Sequence, residues 1–201
     1  KIQAKLSLNF CNFDLNKKTI LICGGSQGAQ IINNLILASL VRLAGEYQII
    51  HQAVPNNLES VQSEVNGIMQ EGKDSYDKNI KANYRIYPFL DFETLKQSYA
   101  IADIVVSRAG AANLFEIALL GKPAIVIPIS KSANNHQTLN ALEFSKFGAV
   151  VLEEANLETN ILLNQIQDLL KPENYKSKSE QIRQFAKPNA GEEIAKYVVG
   201  Q

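Results

Sequence analysis

The chain has 201 residues, with 20 basic and 20 acidic side chains and a formal net charge of zero. That length suits one full-sized domain, and the balanced charge excludes the basic field that holds a polynucleotide, so no nucleic-acid partner is expected. The composition, 46% hydrophobic and 20% charged, is that of an ordinary globular protein, and no apolar run reaches the roughly 18–20 residues of a membrane-spanning helix.

Residues 1–18 (KIQAKLSLNFCNFDLNKK) have no clean period and end in a charged turn. They are expected to be an interdomain linker or a trailing segment, with the domain proper at 19–201. The chain begins at Lys1, so more sequence is expected upstream. Cys11 and Cys23 are the two cysteines, without CxxC spacing or a His/Cys cluster. This predicts reduced thiols, no structural zinc and a cytoplasmic setting, with Cys23 buried at the end of a strand.

Short runs rich in Ile, Val or Tyr predict strands at 19–23 (TILIC), 47–52, 83–87, 103–107, 123–127 and 149–152. Amphipathic stretches at 27–43, 56–70, 91–101, 111–120 and 134–147 predict helices between them. The polar stretch 72–83 reads as a mobile surface loop. Residues 156–199 read as helical, divided into three helices by Pro172 and Pro188. Alternation of this kind predicts an α/β fold: a doubly wound, parallel, six-stranded sheet with right-handed crossovers.

Three polar patches follow strands, at the edge where such sheets bind ligands. In the first, GGSQGA at 24–29, Gly24 and Gly25 permit a tight turn, Gly28 a close approach, and Ser26 and Gln27 sit at a helix mouth. Helix starts present unpaired N–H groups and a positive dipole end, so this turn suits a phosphate; a glycine-rich corner alone is the other reading. It is neither GxGxxG nor a Walker loop. The second patch, SRAGAANLFE at 107–116, places Arg108, Gly110 and Ala111 at a second helix start with Glu116 one turn and a half further on. A carboxylate there suits vicinal ribose hydroxyls; a solvated glutamate or a salt bridge to Arg108 is the alternative. The third is PISKSANNHQTLNA at 128–141, where Gln137 and Asn140 share a helix face and can offer amides to sugar hydroxyls, and where His136 caps the helix or lies on its surface. There is no Ser-His-Asp order, metal-ligand spacing or committed pair of carboxylates.

In this order the GGSQGA turn, the HQ at 51–52, the ADIVVSRAGAANLFEIALLGKPAIVIP block and the NNHQTLNA helix resemble the C-terminal, donor-binding half of the MurG family of bacterial glycosyltransferases. The likeness runs from about Thr19 to the end. It departs from the family at 53–54, where Ala53 and Val54 stand for the usual Thr-Gly after HQ, and at His136, which is often Gln.

The resemblance implies the Rossmann-like half of a GT-B enzyme that transfers N-acetylglucosamine, with inversion, from its UDP donor to a lipid-linked muramoyl-pentapeptide, lipid I to lipid II. It also implies roles: Ser26 and Gln27 near the diphosphate and sugar, Arg108 near the nucleotide, the backbone of Phe89 and Leu90 on the uracil edge, Glu116 on the ribose, and His136, Gln137 and Asn140 on the sugar. No cofactor or metal is implied. The acceptor and the catalytic base belong to an N-terminal half with no counterpart in these residues, so the chain is expected to be an excised half or one that works with a separate partner. The whole enzyme would act at the cytoplasmic face of the inner membrane, while this chain alone would bind donor and catalyse little. A UDP-sugar hydrolase or epimerase using His136, and a non-catalytic UDP-sugar-binding module, are the alternatives.

Overall fold

The computed structural model describes residues 11–14, 16–24, 30–72, 74–130 and 135–200. Among them the apolar runs form six strands, β1 (Thr19–Cys23), β2 (Gln48–Gln52), β3 (Tyr84–Tyr87), β4 (Ile104–Ser107), β5 (Ala124–Val126) and β6 (Val150–Val151). They lie in the order β3-β2-β1-β4-β5-β6, and every pairing is parallel. This is the doubly wound order, in which the chain reverses direction across the sheet between β1 and β4. Each predicted strand is found, trimmed at most by a residue at either end.

The helices are α1 (Gln30–Glu46), α2 (Pro55–Glu71), α3 (Asp74–Asn83), α4 (Phe92–Ile101), α5 (Ala111–Leu120), α6 (His136–Ser145), α7 (Thr159–Leu170), α8 (Pro172–Arg183) and α9 (Ala190–Val199). They cover both faces because successive strand side chains point to opposite sides. Ile20 and Ile22 face α1, α2, α3 and α7 through Leu40, Val61, Ile80 and Ile166. Leu21 and Cys23 face α4, α5, α6 and α8 through Tyr99, Ile117, Phe144 and Ile182. Cys23 is buried and unbridged, and burial pushes its thiol up to about 12.

The expected loop at 72–83 is instead largely helix α3. Asp74 and Asp77 sit in its first turn and Lys81 in its last, matching the helix dipole, and Lys81 pairs with Asp77 at 2.8 Å, four residues apart. Ile80 is buried, and Asn83 Nδ2 donates to the Ala44 carbonyl at 2.8 Å. The polarity that suggests a loop is that of a solvated helix held by one apolar side chain and one buried amide. The division at Pro172 and Pro188 is as expected, with Pro172 in the first turn of α8, where its missing N–H costs nothing.

Within 1–18, Cys11 and Phe13 are buried against the sheet. The Gln48 side chain brackets Asp14, accepting from its N–H at 2.6 Å and donating to its carbonyl at 3.0 Å.

Candidate functional site

The carboxyl ends of β1, β2 and β3 and one side of α5 enclose a cavity of about 420 Å³. Cys23 and Gln52 close its strand side. Pro88, Phe89 and Leu90, which follow β3, form a second wall with Phe92, Leu95 and Tyr99 of α4, and Asn113 and Glu116 of α5 form a third. Three of the predicted residues, Phe89, Leu90 and Glu116, thus meet at one cavity. Leu90 is buried, while the Phe89 ring is 67% exposed at the mouth.

Asp91 fixes the turn that carries Phe89 and Leu90. Its side chain caps α4 by accepting from the Thr94 N–H at 2.8 Å, and hydrogen bonds from Thr94 hold its carboxyl below the ordinary value. Glu116 Oε2 accepts from the Tyr99 hydroxyl at 3.2 Å. The Tyr99 ring is 4% exposed, and burial, then the nearby Cys23 and Glu116, push its phenol far above its ordinary range, so Tyr99 is the donor of this bond.

The salt bridge between Arg108 and Glu116, one alternative for that glutamate, does not form. Arg108 instead pairs with Glu154, Nη1 to Oε1 at 2.7 Å, in a short 3₁₀ turn (Glu154–Asn156) beyond β6. The same Nη1 donates to the carbonyls of Ile127 and Pro128. Glu154 also accepts from the Ser130 N–H at 3.0 Å and its hydroxyl at 2.6 Å. Arg108 Nε is buried without a hydrogen-bond partner among the described residues.

Gln137 and Asn140 join the same bracing. Gln137 Oε1 accepts from the Ile129 N–H at 3.2 Å, and Asn140 Nδ2 donates to the Ala109 carbonyl at 3.0 Å. Both amides tie α6 to the loops that follow β4 and β5. His136 is exposed at the start of that helix.

Gly110 caps α5 and Ala111 begins it. Gly110 has φ −69°, open to any residue, and a Cβ there would meet nothing within 4 Å. Neither backbone conformation nor packing among the described residues demands glycine at that helix mouth. Gly24 ends the described part of the first turn; Gly25, Ser26, Gln27 and Gly28 lie outside the described residues.

His51 is a core residue. It is fully buried in β2, with Nδ1 at 2.8 Å from the Tyr84 hydroxyl and Nε2 at 3.0 Å from Asn33 Oδ1. An amide oxygen only accepts, so Nε2 carries the proton and Nδ1 accepts from the phenol. Burial lowers the ring to about 3, which keeps it neutral. The neighbouring Gln52 lines the cavity.

Sequence reading assigned no site role to Tyr99, Asn113 or Glu154, nor to Gln52, which it quoted only as part of the HQ pair at 51–52. Tyr99 carries one signal: a tyrosine at a core position of an amphipathic helix needs a partner for its hydroxyl.

The sheet order and the cavity at its carboxyl edge define a Rossmann-like α/β domain of the kind that makes up half of a GT-B glycosyltransferase. The chain belongs to the glycosyltransferase family 28 C-terminal domain family, whose profile matches residues 19–194. A relative from Clostridium perfringens, strain SM101, is 39% identical over 164 residues, covering 81% of this chain and 41% of its own length. One from Flavobacterium psychrophilum is 36% identical over 198 residues, covering 96% and 49%. Both are named UDP-N-acetylglucosamine–N-acetylmuramyl-(pentapeptide) pyrophosphoryl-undecaprenol N-acetylglucosamine transferase. The crystal structure of Acinetobacter baumannii MurG superposes with a TM-score of 0.75 at 26% identity, over 92% of this chain and 52% of that one. The chain therefore spans about half the length of the relatives it matches.

Proposed function

We infer that this chain is the UDP-N-acetylglucosamine-binding half of an inverting N-acetylglucosaminyltransferase that converts lipid I to lipid II. The observation that carries the reading is the cavity beyond β1, β2 and β3, which brings the Glu116 carboxylate opposite the Phe89–Leu90 turn. In this reading the backbone of Phe89 and Leu90 bonds the uracil edge, and Glu116 accepts from the two ribose hydroxyls. The diphosphate lies between the mouth of α5 and the turn at Gly24, Gly25, Ser26, Gln27 and Gly28. Open space above Gly110 among the described residues supports this, since it leaves room for a phosphate at the helix mouth.

Arg108, Gln137 and Asn140 are engaged with loop backbones, so their first contribution is to hold the donor-facing loops in place. In this reading Gln137 and Asn140, with His136, also contact the sugar. The acceptor hydroxyl attacks the anomeric carbon while the bond to the diphosphate oxygen breaks. The fixed dipoles of two helix starts stabilise the charge that develops on departing UDP. The base that deprotonates the acceptor, and the acceptor site itself, belong to the half of the enzyme outside this chain. The whole enzyme works at the cytoplasmic face of the membrane; among the described residues no helix is long and apolar enough to cross it.

The test is calorimetric titration of the chain with UDP-N-acetylglucosamine, UDP-glucose, UDP and ADP. Binding that prefers UDP-N-acetylglucosamine and is lost with ADP is expected. Equal binding of UDP and ADP overturns the uracil assignment. Family membership favours transfer over hydrolysis or epimerisation.

A further inference from the structure

We propose that Tyr99 is a positioning residue for the donor: its hydroxyl holds the Glu116 carboxylate in the orientation that receives a ribose diol. The inference rests on the reading of Glu116 given above and goes beyond it.

The geometry begins with an imbalance between the two partners. Glu116 is exposed on α5, and the hydrogen bond from Tyr99, 17 residues earlier, ties Oε2 to the wall of the cavity. A solvated glutamate samples several rotamers, and ordering it at the moment of binding costs affinity. Tyr99 is rigid by contrast. Its ring is buried in the cluster that includes Leu21, Cys23 and Leu90, and it sits on α4, the helix that follows the turn supplying Leu90 to the cavity. A phenol has one proton to give. Donating it to one carboxylate oxygen leaves the other oxygen, and the remaining lone pairs of the first, for two hydroxyl donors. Burial pushes the phenol far above its ordinary range, so at neutral pH it keeps the proton that it donates. The same side chain therefore lines the cavity and orients its charged wall, the arrangement that preorganises a binding site.

The experiment compares UDP with 2′,3′-dideoxy-UDP by calorimetry on the 201-residue chain, its Tyr99→Phe variant, Glu116→Ala, and the double variant. Phenylalanine keeps the ring and its packing and removes only the hydroxyl. Tyr99→Phe is expected to weaken UDP about 3- to 10-fold, the range of one hydrogen bond, while the dideoxy nucleotide binds as before. In the Glu116→Ala background the same change is expected to be silent, because a positioning residue acts only through the group that it positions. Equal losses for UDP and the dideoxy nucleotide would assign Tyr99 to packing alone and overturn the proposal, as would undiminished binding of UDP by Tyr99→Phe. An unmodified chain that binds both nucleotides equally overturns the ribose role of Glu116, and the proposal with it; that outcome is read before any variant is made, so the two failures are distinct.

Discussion

Arg108 and Glu154 meet at 2.7 Å, and their pairing ties the carboxyl end of β4 to the turn beyond β6. The side chains are 8% and 19% exposed, so the pair is largely removed from water. Removing one partner of such a pair strands the other charge. Glu154→Ala is expected to cost about 2–4 kcal/mol of stability, read from urea unfolding. The adjacent and exposed Glu153 provides the control, with Glu153→Ala changing stability by less than about 0.5 kcal/mol. Equal effects at the two positions would remove the ion pair from the account. Burial raises the Glu154 carboxyl, but hydrogen bonds from Ser130 and Arg108 outweigh it and leave the group below its ordinary 4.5. The stability that it contributes is accordingly full above that value and lost as pH falls through the lower, folded-state value.

Glu116 gives a prediction about affinity rather than stability. Glu116→Gln keeps an oxygen to accept from Tyr99 and removes the charge and one acceptor. UDP is expected to bind more weakly by about 1–3 kcal/mol, with an unchanged melting temperature. Unaltered affinity in a titration would show that Glu116 does not carry the ribose.

His51 supplies a pH dependence of its own. Its ring titrates near 6.5 when unfolded and near 3 in the fold, lowered by burial. Between those values the unfolded chain binds the proton and the native chain does not, so stability rises with pH there. Unfolding free energy is expected to be fully supported by His51 above about pH 6.5 and to decline as pH falls toward 3. Substitution His51→Gln should flatten that part of the profile, measured by urea titration at several pH values. An unchanged slope would mean that the ring is not buried neutral.

Gly121 ends α5 at φ +59°, in the left-handed region. A Cβ there would collide with Arg183, whose guanidinium donates to the carbonyls of Leu119 and Leu120. Gly121→Ala combines the backbone cost of about 1–2 kcal/mol for an L-residue in this conformation with displacement of those two bonds. Thermal unfolding is expected to fall by several degrees. Gly191, at which a Cβ meets nothing, should tolerate alanine in the same assay.

The fold was legible because its strands are short apolar runs buried on both sides, a pattern that survives without knowledge of neighbours. TILIC is β1 in full. Helix α3 was not legible. Its single buried apolar side chain, Ile80, gives no period, and the amide that anchors it, Asn83, finds its partner at Ala44, 39 residues away. The cavity followed from topology, since parallel strands bring their carboxyl ends to one edge. Which side chains would brace its loops did not follow. Nothing in the pair Glu153–Glu154 says which carboxylate turns inward to Arg108; that is decided by where the chain lies after β6. Tyr99 likewise reads as core, and only the packing of α4 against the sheet aims its hydroxyl at Glu116.

The strand order carries a kinetic consequence. β1 pairs with β4, and the Thr19 N–H at its start donates to Asp103, 84 residues along the chain. The long excursion that contains α1 to α4 must close before the central pairing exists, which makes this a slow, non-local step. Cavity walls come from both sides of that excursion, from Cys23 and from Asn113 and Glu116. The cavity is therefore complete only once this pairing has formed. A nucleotide that fills it will recognise only chains that have finished folding, and will retard their unfolding as a whole rather than the opening of one segment.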